Sequence, residues 1–339
     1  MNPFLDSTDI AHDAEQLRDR MQRDGYLFFR GLLPREVLET PRLMWLGLLR
    51  NAGCVDREAP LEEGLADMSG FRLEPEDAYM RVLADLYGLP AFHAVQHHPV
   101  LVSLIERMVG ERVLPHPSVI GRYIFPQKIE FTTPPHQDFV PIQGTAETYT
   151  AWVPFSDLSP DMGGLAICGG SHRGGVYRFR PALGAGALEV MDELPDDWRY
   201  SPVRQGDVIM FHSMTVHKGM PNTSRRMRLS MDARYSAVSE PIAEKSLSPH
   251  CWAVADWDRV YANWPEGAKP DPYYWKSYDV RFVDYDNSYF ATRDELAFDM
   301  AQAGDPRAYS TLQRIVARDS DEGKRDRARR LMAELEALK

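Results

Sequence analysis

The spacing of apolar positions changes twice along the chain. From Thr8 to about Gly110 they recur at the three- and four-residue intervals of amphipathic helices. Thr8 is placed to cap a helix over Asp9 to Arg23, Pro34 to open one that runs to Arg50, and Val100 to Val109 carries another. Between the first two, Gly25-Tyr-Leu-Phe-Phe-Arg-Gly31 reads as a short strand. From Val113 to about Tyr235 the helical period gives way to short apolar or alternating runs broken by Gly, Pro and Asp: Val119 to Phe125, Tyr149 to Phe155, Val208 to His212 and Met227 to Tyr235. Such a succession predicts a β barrel or jelly roll. Beyond Tyr235 the chain is loop-rich and dense in aromatic rings. It then returns to helical spacing over Pro306 to Arg318 and Glu322 to Leu338, joined by the acidic turn Asp319-Ser-Asp321.

The expected class is therefore mainly β with flanking helices (α+β). A single domain over residues 1–290 would hold N-terminal helices (8–110), a β core (113–235) and an aromatic-rich segment (252–290), with a helical extension over 291–339. No 20- to 50-residue period recurs, which sets solenoids and propellers aside. At 339 residues, 44% hydrophobic and 26% charged, the chain has the make-up of a globular protein with a sizeable core. Its longest apolar stretch, Leu43 to Leu49, falls far short of the roughly 20 residues that span a bilayer. Met1 to Asp6 lacks the basic-then-apolar order of a targeting leader, so a cytoplasmic location is expected. Cys54, Cys168 and Cys251 lie far apart with no CxxC spacing and read as free buried thiols. With 50 acidic against 39 basic residues the net charge is −11, the wrong sign for a general binder of phosphate backbones, so no nucleic-acid partner is expected. The two terminal helices carry nearly balanced charge, which suits a cap on the domain or an oligomer contact and suits a membrane anchor least.

Candidate chemistry concentrates in Pro134-Pro135-His136-Gln137-Asp138. On a strand, positions two apart share a face, so His136 and Asp138 can offer a nitrogen and a carboxylate oxygen to one ion. His217, after the turn Gly206-Asp207 and the strand Val208 to Phe211, is the best third ligand, with His212 next. Two histidines and a carboxylate on one face of an octahedron leave three positions open, the arrangement of non-haem Fe(II) oxygenases. A His and an Asp two apart also occur by chance. The added signal is the stretch after Met227, where Arg228, Ser230, Asp232 and Arg234 alternate with Met227, Leu229, Met231, Ala233 and Tyr235. If the polar row faces a barrel interior, Arg228 offers a bidentate fork to a carboxylate and Ser230 a second donor; if it faces solvent, it is an ordinary one-sided sheet.

Taken in order, these residues resemble the phytanoyl-CoA dioxygenase-like family of Fe(II)- and 2-oxoglutarate-dependent oxygenases. The resemblance runs from Asp24–Gly31 through His136-Gln-Asp138, Trp152–Asp157, Gly163-Gly164-Leu165, Gly170-Ser-His172 and Gly206–His212 to His217, Asn222-Thr-Ser224 and Arg228, about two thirds of the chain. It implies that His136, Asp138 and His217 hold Fe(II), that Arg228, with Ser230 assisting, binds the distal carboxylate of 2-oxoglutarate, and that Trp152 lines the cosubstrate pocket. It also implies a double-stranded β-helix, a cupin-like jelly roll, and consumption of O2 and 2-oxoglutarate with release of succinate and CO2. His172 is expected to be structural, Thr133 to pack in the core or a loop, His93, His97 and His98 to lie at a helix start or on the surface, and His212 to be a satisfied strand residue. Asp138 is intact, whereas halogenating relatives replace it by a small residue, so hydroxylation of a small molecule is the default outcome. Desaturation, epoxidation, cyclisation and epimerisation use the same oxidising centre. A non-redox metal-binding jelly roll, structural or hydrolytic, is the rival class. For a coenzyme A thioester the only short basic cluster near the motifs is Arg225-Arg226, too little to claim one. Finally, twelve of the 39 residues from Trp252 to Phe290 are aromatic, against an 11% average, which suits either packing onto the barrel or a wall over its mouth.

Overall fold

The computed structural model describes residues 1–184, 186–250, 254 and 256–338; Cys251 and Trp252, singled out above, lie outside them. Helix α1 (Ala14–Asp24) begins later than Thr8 would have it. Asp13 has extended backbone and its carboxylate accepts from the amides of Glu15 and Gln16, whereas Thr8 heads only a single 3-10 turn, where its hydroxyl accepts from the Arg30 amide. Gly25 ends α1 with a left-handed backbone, and a side chain there would collide with His172 and Thr215. The chain then enters β1 (Tyr26–Phe29) and α2 (Arg35–Asn51), capped at Pro34 as expected. Helices α3 (Asp77–Tyr87), α4 (Pro90–Gln96) and α5 (Pro99–Val109) complete the N-terminal layer.

The next elements are β2 (Val113–Pro115), β3 (Ile120–Ile124), the short helix α6 (Phe139–Ile142), β4 (Thr148–Pro154) and β5 (Gly164–Cys168). They continue with β6 (Phe179–Pro181), β7 (Leu188–Val190), β8 (Trp198–Arg199), β9 (Val208–His212), β10 (His217–Met220) and β11 (Arg228–Ala237). Two antiparallel sheets form the core, beside a two-stranded antiparallel pair, β6-β7. A six-stranded sheet runs β1-β9-β4-β11, with β2 and β3 both on the far side of β11; a three-stranded sheet runs β10-β5-β8.

All ten residues of β11 are buried because the large sheet is covered on both faces. Leu229, Met231, Ala233 and Tyr235 join the helical core around Trp45, Leu83 and Phe92. On the opposite face Phe28, Trp152, Ile209 and Phe211 meet Leu165 and Ile167 of the small sheet. The register puts Asp232 opposite Trp152 and Trp152 opposite Ile209, so the polar row of β11 faces the space between the sheets and not solvent.

Past β11, strand β12 (Ile242–Ala243) precedes α7 (Trp257–Tyr261) and pairs in parallel with β13 (Phe282–Val283). Three helices close the chain: α8 (Ser288–Gln302), α9 (Tyr309–Arg318) and α10 (Glu322–Ala337). Helix α8 buries one stripe, Asp294, Ala297, Phe298 and Ala301, toward α9 and α10, but a carboxylate and two alanines make it a weak apolar signal in the sequence; near its start Tyr289 meets Phe179 of β6.

The aromatic segment divides. Trp257, Trp264, Trp275 and Tyr274 pack on the helical core, and Trp257 and Trp264 bracket His93, with ring centroids 6.2 and 5.3 Å away. His93 is therefore a core residue, not a surface one: its Nε2 lies 2.9 Å from the Tyr87 carbonyl, which ends α3. Cys54 and Cys168 are buried free thiols. No helix among the described residues is long and apolar enough to cross a membrane.

Candidate metal centre

Pro134 and Pro135 have no amide hydrogen, so a strand entering His136 from 133 lacks two of its ladder donors. Instead a single antiparallel bridge joins His136 to His217, each amide donating to the other's carbonyl at 2.9 and 3.0 Å. Residues paired in this way project their side chains to one face, and the two imidazole centroids lie 4.2 Å apart. Asp138 reaches the same face by a different route from the strand alternation expected: its backbone is already helical (φ −74°, ψ −25°) at the head of α6. Gln137 pins the turn between them, donating to the carbonyls of Gly175 and Met214 and accepting from the Tyr177 amide.

One ligand atom from each of His136, Asp138 and His217 lies within 4.8 Å of the others, and all three residues are buried. In both histidines Nδ1 is engaged by a backbone carbonyl, Pro134 at 2.9 Å and Thr215 at 3.0 Å, which leaves each Nε2 as the lone-pair nitrogen. Asp138 is divided in the same manner. Its Oδ2 accepts from the Thr150 hydroxyl (2.8 Å) and from Arg234 (3.3 Å), while Oδ1 lies 3.9 Å from His217 Nε2. Burial, and then the neighbouring His217, lower the His136 pKa to about 3; burial likewise lowers His217. Burial opposes ionisation of Asp138, but Arg234 and the two histidines outweigh it and hold the carboxyl well below its usual range. Three buried donors with outer atoms satisfied and inner atoms unspent suit a divalent cation.

Sequence reasoning missed Thr150, Arg234 as a partner of Asp138, and Phe211, whose ring centroid lies 4.3 Å from that of His217. Thr150 and Phe211 are opposed in the β4–β9 register, and Arg234 pairs with Thr150, so all three arrive on the inner face of the large sheet. The alternating row of β11 carried that signal for Arg234.

Arg228 lies at the other end of this row. It is buried and donates to the carbonyls of Gly164 (3.2 Å) and Met220 (2.8 Å), spanning the ends of β5 and β10. Its Nε has no partner, it makes no ion pair among the described residues, and burial followed by repulsion from Arg122 lowers its pKa to about 10. Met220 is three residues beyond His217 on β10, about 10 Å of strand. Ser230 is buried between Arg228 and Asp232 on the same face, opposite Arg122, and Trp152 is buried between the sheets. Thr133 contributes its carbonyl to the Gly219 amide. His172 and His212 stand apart from the triad: His172 Nε2 meets the Gln22 carbonyl at 3.0 Å, and His212 bonds Glu147 and the Met214 amide.

His136 and Asp138 open onto a cavity of about 350 Å³. Its apolar lining includes Ile120, Ile142, Val254 and Phe290, so among the described Trp, Tyr and Phe rings of the aromatic segment it is Phe290 that reaches it. Its charged lining is Arg122, Arg234, Lys245, Arg293, Arg314 and Arg318 with Glu74 and Asp138.

A family model described as phytanoyl-CoA dioxygenase (PhyH) matches residues 21–230. The 1-deoxypentalenic acid 11-beta-hydroxylase of Streptomyces exfoliatus is 29% identical over 79% of this chain and 92% of its own length, and that of Streptomyces arenae 28% identical over 78% and 91%. Among solved structures, the epimerase SnoN in complex with Fe3+, alpha ketoglutarate and nogalamycin RO is 21% identical, with a TM-score of 0.49 over 68% of this chain and 85% of that one.

Proposed function

The chain belongs to the phytanoyl-CoA dioxygenase family of Fe(II)- and 2-oxoglutarate-dependent oxygenases, and on that premise we propose that it hydroxylates an unactivated C–H bond of a small molecule at His136, Asp138 and His217. The observation that carries this reading is the division of labour within the triad: every outer ligand atom is held by the protein and every inner one is available. Iron and 2-oxoglutarate, when bound there, supply the activation of O2 and the oxidising power, with succinate and CO2 as co-products.

The residues of the chain supply the setting. The carbonyls of Pro134 and Thr215 hold the Nδ1 protons and fix the tautomer in which both Nε2 atoms coordinate. Arg234 and Thr150 keep Asp138 ionised and oriented. Arg228, buried without a carboxylate partner, offers its fork to the distal carboxylate of 2-oxoglutarate, with Ser230 beside it and Trp152 enclosing the space between the sheets. This unspent guanidinium favours the oxygenase over a structural or hydrolytic metal site, neither of which needs a dicarboxylate pocket. In this reading the two sheets are the halves of a double-stranded β-helix, residues 1–290 form the oxygenase domain and 291–339 its helical extension.

The Streptomyces relatives are named as hydroxylases of a free acid, and the intact Asp138 suits hydroxylation. Arg226 lines a separate surface cavity in which Glu36, Glu39, Glu62, Glu63 and Asp157 outnumber Arg35, Arg42 and Arg226, a setting that does not favour the phosphates of coenzyme A. The test is direct. Purified protein with Fe(II), 2-oxoglutarate and O2 should form succinate, His217→Ala should not, and a metabolite extract should yield a product heavier by one oxygen atom. Absence of succinate from the iron-loaded protein overturns the reading.

A further inference from the structure

The cavity at the metal face carries more positive charge than its own acids neutralise, and much of that charge comes from outside the β core. Among the described residues six cations line it against two carboxylates, Glu74 and Asp138; Asp138 already pairs with Arg234, and Asp232 answers Arg122 from the sheet, so the excess lies with Lys245, Arg293, Arg314 and Arg318. Arg293 lies on α8, and Arg314 and Arg318 on α9. These three and Lys245 also line a second cavity of about 320 Å³ on the outer side, so the four cations stand around the neck that joins the two spaces.

Local partners do not account for the excess. Arg314 is shared with Glu74 at 3.1 Å and Arg293 with Asp294 at 2.5 Å, but Glu74 also serves Arg122, and Asp294, with Asp319 on the second cavity, also serves Lys324. The Lys245 ammonium meets only the Tyr285 hydroxyl and the faces of Tyr285 and Phe290, with no carboxylate partner among the described residues. The crowding shows in the protonation equilibria. Enclosure by the surrounding chain, and then the charges of Arg318 and Arg293, lower the Lys245 pKa to about 8; burial and the same two arginines lower Arg314 in spite of Glu74. Phe290, an apolar wall, adjoins both spaces.

We propose that the neck formed by Lys245, Arg293, Arg314 and Arg318 binds an anionic oxyacid group of the primary substrate, carboxylate or phosphate, while the apolar body reaches past Phe290 to the metal face. The C-terminal helices are then part of substrate recognition and not only a cap. The assignment rests on the oxygenase reading above and adds to it the charge class of the substrate and the residues that select it. Arg228, which does not line this cavity, remains the cosubstrate's partner, so two anions are held by two separate sets of arginines.

Calorimetry on the full-length protein, loaded anaerobically with Fe(II) and saturating 2-oxoglutarate, provides the test. The probes are cyclohexanecarboxylate, cyclohexyl phosphate and the uncharged cyclohexanecarboxamide, which share one apolar body. At least one anion should bind about tenfold or more tighter than the amide, and the preference should weaken as salt is raised. Which anion binds tighter identifies the group. Lys245→Ala combined with Arg318→Ala should remove most of the preference; Lys245→Glu, on the rim, should reduce it in a protein whose melting is unchanged. Equal binding of all three probes, or a preference that survives both variants, overturns the proposal. So does a loss of 2-oxoglutarate affinity in the variants with the probe preference intact, because the neck would then hold the cosubstrate. Failure of the wild type to bind 2-oxoglutarate at all is a separate result, which removes the oxygenase reading itself.

Discussion

Asp138 serves two partners with one carboxylate, and its replacement should show both. Removing it takes away a metal ligand and also strands Arg234, which is buried and depends on Asp138 for its ion pair. Asp138→Ala should lose metal and about 3 to 5 kcal/mol of stability, whereas His217→Ala should lose metal with a smaller cost. Metal content and chemical denaturation on the same samples distinguish the two; equal stabilities would mean that Arg234 does not rely on Asp138. Arg228→Ala should weaken 2-oxoglutarate binding by about 2 to 5 kcal/mol with metal affinity unchanged, and Arg228→Lys should recover only part, since an ammonium lacks the fork. Unchanged cosubstrate affinity would remove Arg228 from the site. Two further histidines give the metal-free protein a pH signature. Burial lowers His93 to about 4 and His116 to about 3, from an ordinary value of 6.5. Because the folded values are depressed, the unfolded chain binds more protons below 6.5. Their contribution is fully present above that value and is lost as the pH falls, at about 1.4 kcal/mol per pH unit for each group. A denaturation midpoint that stays flat from about pH 7 to about pH 5 contradicts this.

At the scale of elements, the sequence was legible where one periodicity governed a whole segment. The row Arg228, Ser230, Asp232, Arg234 could be read because β11 runs ten residues without interruption, and its interior placement follows from the register with β4. It failed where local chemistry overrode the period. His136 and Asp138 do converge, but through a bridge and a helical turn and not through the strand alternation that the spacing suggested. Helix α8 escaped notice because its buried stripe holds Asp294 and two alanines with only one large apolar residue, Phe298, and His93 because its cover comes from Trp257 and Trp264, far away in sequence. The same packing decides between the two roles open to the aromatic segment. Alanine at Trp257 or Trp275 should cost about 3 to 5 kcal/mol and leave the ratio of substrate oxidised to 2-oxoglutarate consumed unchanged. Phe290→Ala should fold and lower that ratio, since its ring lines the metal-face cavity. A normally folded but uncoupled Trp275 variant would return the wall to that part of the segment.

Across the whole molecule, a chain of alternating charges ties the large sheet to the C-terminal helices: Asp232 to Arg122 at 2.8 Å, Arg122 to Glu74 at 3.3 Å, and Glu74 to Arg314 at 3.1 Å. Glu74 is the central link. Its removal leaves two buried guanidinium groups facing each other, so Glu74→Ala should cost about 3 to 5 kcal/mol and loosen α9, visible as faster amide exchange there than in β11. Uniform exchange in the two elements would mean that other contacts hold the extension. The backbone bridge between His136 and His217 has a consequence for the order of events in folding. Its two halves are about eighty residues apart in sequence, and the segment 133–136 cannot be paired until β10 has been made to lie beside it. A ribosome that has released the chain only as far as Asp138 presents two of the three candidate ligands, without the partner strand that orients them. On the proposed reading of this site, iron retention would be a late checkpoint, passed only by molecules in which β10 has already paired with the segment that carries His136.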